Sequence, residues 1–78
     1  MRLHLNLYRG ETLIPDLEGA EYANLEEAYA EAVTSAREIM ANRLRHGKEP
    51  FRASFSIVDS DGITVAILPF QQAIPVDG

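Results

Sequence analysis

The first residues of the chain alternate between polar and apolar side chains. Leucines occupy positions 3, 5 and 7, and polar residues stand between them. Period-two alternation predicts a β-strand with one buried face. After a turn at residues 9–11, residues 12–14 suit a short second strand, which Pro15 would end because proline lacks an N–H for the ladder. The pattern leaves open whether residues 12–14 form a true strand.

A helix of about six turns is predicted over residues 24–46. Asn24 and Glu27 have the spacing of a capping box, and Gly47 follows a basic last turn. The apolar side chains recur at helical spacing in one broad stripe: Leu25, Ala28, Tyr29, Ala32, Val33, Ala36, Ile39, Met40 and Leu44. We expect this stripe to lie on a sheet.

Two strands are predicted after the helix, joined by a tight turn at residues 59–62. This Asp-Ser-Asp-Gly stretch is a strong hairpin signal because Asp-Gly tolerates positive φ. In the strand over residues 51–58, Ala53, Phe55 and Ile57 are predicted to face the helix. The return strand over residues 63–68 is apolar on both faces. We expect its inward row to be Ile63, Val65 and Ile67.

The order of elements predicts an α+β fold of the form β-β-α-β-β. In it, a three- to four-stranded antiparallel sheet carries one long helix packed on one face. We predict a single small domain over residues 1–78, with a frayed tail from about residue 71. The strand order in the sheet is left open.

Composition narrows the possible partners. Twelve acidic residues against seven Lys and Arg give a formal net charge of −5. Because of this negative charge, we do not expect direct binding to nucleic acid or docking on an anionic membrane. The absence of cysteine excludes disulfides and thiolate metal sites. With neither a signal-peptide pattern nor a long apolar run, we expect a cytoplasmic protein.

Few residues have the pattern of a chemical site, and we expect no catalytic, cofactor-binding or metal-binding residue. Asp59 and Asp61 resemble the start of a calcium loop, but no further ligands follow, so a turn explains them better. Asp16 and Glu18 lie in a loop, where we expect solvated carboxylates rather than acid–base catalysts. A non-enzymatic protein is therefore predicted.

Two faces of the sheet are candidate binding surfaces. The weaker is a polar face that could bind a small ligand such as an anion, or a peptide, formed by His4, Asn6, Arg52, Ser54 and Ser56. The stronger is an apolar row expected to point away from the helix, formed by Tyr8, Val58, Ala66, Leu68 and Phe70. Since exposed apolar patches mark partner surfaces, self-association as a homodimer is the leading hypothesis, with another small protein as the alternative partner.

The chain resembles a family of short, uncharacterised alphaproteobacterial proteins that carry a domain of unknown function. The resemblance covers nearly the whole chain and rests on these pieces: His4-Leu5, Ile14-Pro15-Asp16-Leu17-Glu18-Gly19, the helix from Leu25, Asp59-Ser60-Asp61-Gly62 and Pro69-Phe70. It implies a fold and carries no established activity.

The start of the helix is also similar, more distantly, to RNase H-like antitoxin domains. The matching residues are Leu25, Glu26, Glu27 and Ala28. The chain lacks the glycine-rich strand-to-helix segment of that family and any added DNA-binding module. This resemblance implies the alternative of a regulatory module that binds a partner protein.

Overall fold

The computed structural model describes residues 1–75 of the 78-residue chain. Its elements are β1 (Arg2–Arg9), β2 (Thr12–Ile14), β3 (Ala20–Glu21), α1 (Leu25–Arg45), β4 (Ala53–Asp59), β5 (Thr64–Pro69) and a 3₁₀ helix (Phe70–Ala73). All strand pairs are antiparallel, in the order β2-β1-β4-β5, and β3 also pairs with β1. The predicted α+β class is confirmed. Residues 12–14 form a true strand, and the two-residue β3 is an addition to the predicted set.

Both ends of α1 form as predicted. The Asn24 side chain accepts a hydrogen bond from the Glu27 amide at 2.9 Å. At the other end, Gly47 has a φ of 68°. The amides of Gly47 and Lys48 donate to the carbonyls of Leu44 and Arg43 at 3.1 and 2.9 Å. These two hydrogen bonds form the Schellman motif. They give partners to carbonyls of the last helical turn that have no partner within the helix.

One face of the sheet packs against α1. The helix buries Ala28, Ala32, Ala36 and Met40 on this side. Facing them, the sheet contributes Leu3, Phe55, Ile57 and Leu68, of which all but Phe55 have no exposed surface. Small alanines opposite large aliphatic side chains let the two layers interdigitate closely. The molecule measures 37 × 31 × 15 Å, so its thickness holds one sheet and one helix.

The inward row predicted for the return strand is wrong. β5 pairs Leu68 with Phe55 and Ala66 with Ile57, so Leu68 and Ala66 share the helix-facing side. The residues predicted there are exposed instead: Ile63 by 58%, Val65 by 40% and Ile67 by 58%. An irregularity in the β4–β5 register at residues 57–58 sets this pairing. A shift of one residue in the register moves the inward side chains of a strand to its outward face. Because β5 is apolar on both faces, its sequence does not favour one register over the other.

The chain after β5 turns back into the core. Phe70 has no exposed surface, and its ring centre lies 5.5 Å from that of Phe55. Ala73 is also buried, and its carbonyl accepts a hydrogen bond from Arg37 Nε at 2.7 Å. The predicted fraying is therefore wrong for residues 71–73. Residues 76–78 of the predicted tail lie outside the described residues. Across residues 1–75, no helix combines the length and the apolar character that crossing a membrane requires.

Candidate functional site

The sheet face opposite α1 is the candidate interaction site, and we call it the open face. Its members alternate in sequence with the helix-facing residues of each strand: His4, Asn6, Tyr8, Leu13, Ser54, Ser56, Val58 and Ile67. Direct strand pairing places Leu13 beside Tyr8 and Ser56 beside Ile67. Tyr8, Leu13 and Ile67 keep 39%, 45% and 58% of their surface exposed. Large apolar side chains thus remain in contact with solvent on this face.

The predicted interaction residues divide between the two faces. Tyr8 and Val58 lie on the open face. Leu68 and Phe70 are fully buried, and Ala66 packs against the same core, so these three cannot contact a partner. The register of β5 places Ala66 and Leu68 there, and the reversal of the chain after Pro69 brings Phe70 under the sheet. Ile67, which the sequence pattern predicted to be inward, takes their place.

β5 is one edge of the sheet and carries no charged residue. In residues 1–75 no strand pairs with its outer side. Such an edge offers unpaired N–H and C=O groups to another chain, and proteins usually protect it with charges, proline or bulges. Here the register irregularity lies at one end of β5 and Pro69 at the other. The stretch between them, residues 66–68, pairs regularly with β4 and carries no charge.

On the opposite side of the sheet, Asp16 fills the gap that β2 and β3 leave along β1. Between β2 and β3, its carboxylate accepts hydrogen bonds from the amides of Leu5 and Gly19 at 3.1 and 3.2 Å. Its own amide donates to the Asn6 side chain at 2.9 Å. A side chain therefore substitutes for strand pairing along the middle of β1. Sequence reasoning assigned Asp16 to solvent, because a bond from a carboxylate to a distant backbone amide leaves no local pattern.

Four of the five residues predicted as a polar face lie together on the open face: His4, Asn6, Ser54 and Ser56. His4 Nδ1 lies 2.7 Å from the carbonyl of Asp16, and Asn6 accepts from the amide of the same residue. Since a carbonyl only accepts, the His4 Nδ1 carries the proton in this contact. Ser56 is 8% exposed. Arg52 is the residue before β4. It lines a cavity of about 390 Å³ with Tyr8, Gly10, Ala53 and Ser54.

The predicted turn chemistry at Asp59 is formed. Its Oδ1 accepts from the amides of Asp61 and Ile63, both at 2.9 Å. One carboxylate oxygen therefore holds the hairpin turn. In the part of the chain that the structure describes, no group of three or more His, Asp or Glu side chains is placed to hold a metal ion.

Comparison with known proteins places the chain in a family. A family model described as a domain of unknown function, DUF6894, matches residues 2–71. The match includes β1 to β5, α1 and the buried Phe70. No curated protein and no solved structure matches the chain.

Proposed function

The chain belongs to the DUF6894 family, a domain of unknown function, and we propose that it works as a non-enzymatic protein-interaction domain. Its partner in this proposal is a second copy of the chain, which meets the first through β5 and the adjoining part of the open face.

The uncharged, exposed edge of β5 is the observation that carries this proposal. The chain as a whole has a net charge of −5, so two copies repel each other at most surfaces. Residues 63–70 contain no charged side chain. Two copies can therefore bring this segment together without placing like charges in contact.

A two-fold symmetric contact suits this strand. In an isologous dimer the same patch meets itself, and two antiparallel copies of β5 would extend both sheets into one. Ile67 would then approach the partner near the symmetry axis. With more than half of its surface exposed, Ile67 stands to contribute roughly 1 kcal/mol on burial in each protomer. On the opposite side of the sheet, β2 has three residues and β3 has two, so each offers a shorter strand than the six residues of β5.

An antitoxin-type module has less support. The resemblance rested on Leu25–Ala28, and the cap that Asn24 makes with the Glu27 amide accounts for this start of α1 as a structural feature. The open edge of β5 supports a strand-pairing partner without requiring a toxin.

We expect Ile67→Lys to weaken dimer formation at least tenfold, because it places a charge in the apolar contact of both protomers. Leu44→Lys is the matched control, since Leu44 on α1 is 62% exposed and Ile67 is 58% exposed. Sedimentation velocity over a concentration series should give a dimer for the wild type and Leu44→Lys, and mostly monomer for Ile67→Lys. A monomeric wild type, or equal weakening by both variants, would contradict the proposal.

A further inference from the structure

Two adjoining cavities lie where the end of α1 meets the end of β1 and the start of β4. Their volumes are about 440 and 520 Å³, and Arg9 and Arg43 line both. Lys48 completes the first and Arg52 the second. Apolar walls are supplied by Ile39, Pro50 and Ala53. We call the two cavities together the basic cleft.

The charge of the basic cleft is opposite to that of the molecule. It holds four of the seven Lys and Arg residues of a chain whose net charge is −5. Two carboxylates, Glu38 and Glu49, are the acidic members of the lining. The lining therefore has a net charge of +2, and the remaining residues together carry −7.

Arg43 is positioned by the loop that follows α1. Its Nε donates to the carbonyl of Glu49 at 2.6 Å, and its side chain is half-buried. The Glu49 carboxylate accepts from the amides of Phe51 and Arg52 at 2.6 and 3.1 Å, and in residues 1–75 it forms no ion pair with Arg43 within 4.0 Å. The terminal nitrogens of the guanidinium are thus left available to a ligand.

The other cations of the cleft also lack acidic partners. In residues 1–75, the ion pairs within 4.0 Å join Glu21 to the N-terminal amine and to Arg2, at the far end of β1. The negative C-terminal end of the α1 dipole explains a cation at Arg43 or Lys48. It does not explain Arg9 and Arg52, which the sheet brings to the same place from distant parts of the sequence.

We infer that the basic cleft binds a small phosphorylated molecule. The fork of an arginine matches the oxygens of a phosphate group, and Arg9, Arg43 and Lys48 surround the space where such a group would lie. Each cavity falls in the size range of small-ligand sites, and Ile39, Pro50 and Ala53 would contact the apolar part of the ligand. A long polyanion or an anionic membrane fits poorly, since the net negative charge of the rest of the chain repels an extended negative surface.

Titration with inorganic pyrophosphate tests this site. Followed by NMR at constant ionic strength, the wild type should show saturable shifts at Arg9, Arg43 and Lys48, with a Kd of roughly 1 mM or tighter. Arg43→Gln should weaken binding at least tenfold, because it removes a charged donor. Arg45→Gln is the matched control: it removes the same charge from the same helical turn, but Arg45 does not line the cleft.

A second variant and two competing ligands test the same site independently of Arg43→Gln. Lys48→Gln leaves the Arg43–Glu49 bond in place and should weaken binding about threefold or more, so a folding defect of Arg43→Gln does not decide the outcome. Absence of saturable shifts, or equal losses from Arg43→Gln and Arg45→Gln, would overturn the site. Tighter binding of a single-stranded oligonucleotide or of phosphatidylserine vesicles than of pyrophosphate would overturn the small-molecule assignment. The variants leave Ile67 untouched, so this outcome is independent of the dimer.

Discussion

Replacing Phe70 with alanine should lower the free energy of unfolding by about 3–5 kcal/mol. Phe70 is among the largest side chains with no exposed surface, and it packs against Phe55 at the end of the core. Truncating a buried phenylalanine costs about 3–5 kcal/mol. A domain of 78 residues has a total stability of roughly 4–12 kcal/mol at typical values per residue. This single change therefore removes a large share of the free energy of unfolding.

Urea denaturation followed by circular dichroism measures the effect. Phe51→Ala is the matched control, because it makes the same substitution where the ring is 42% exposed. We expect it to cost about 1 kcal/mol. If Phe70→Ala were as stable as Phe51→Ala, then the 3₁₀ helix after β5 would not be packed into the core.

Gly19→Ala should destabilise the protein by roughly 2–5 kcal/mol. Gly19 has a φ of +65°, and a Cβ atom there would lie 2.8 Å from the Leu3 carbonyl oxygen and 2.9 Å from the His4 ring. Left-handed backbone costs a residue with a side chain about 1–2 kcal/mol. The collision with the backbone of β1 adds about 1–3 kcal/mol, since neither group can move without breaking the Asp16 contacts.

Gly10→Ala separates these two causes. Gly10 has nearly the same φ, +61°, but open space where its Cβ would lie. We expect a loss of about 1–2 kcal/mol from conformation alone. The difference between the two variants in the free energy of unfolding then measures how closely residues 16–19 approach β1. Equal losses would contradict the close approach of these residues to β1.

The elements that a local pattern defines could be predicted from the sequence. β1 and β4 alternate strictly, so their buried faces were clear. The cap at Asn24 and the Gly47 terminus bounded α1 because each uses a specific residue type in a specific backbone conformation. The α+β class and the long helix could therefore be predicted from the sequence.

The features that matter most for function could not be predicted, because they depend on contacts between distant residues. β5 is apolar on both faces, so its inward row depends on the register irregularity at residues 57–58. For that reason Ile67, predicted to face the helix, is exposed, and Leu68, predicted to be exposed, is buried. In the basic cleft, Arg43 and Lys48 are close in sequence, but no sequence spacing connects them to Arg9 and Arg52.

The contact between two copies can be observed directly by NMR on a mixture of isotope-labelled and unlabelled protein. Isotope-filtered experiments detect only nuclear Overhauser effects that cross between copies. We predict such effects from the methyl groups of Val65 and Ile67 to the same segment of the partner, with none from Leu44 on α1. Cross-copy effects confined to α1, or none at concentrations where sedimentation shows a dimer, would contradict pairing through β5.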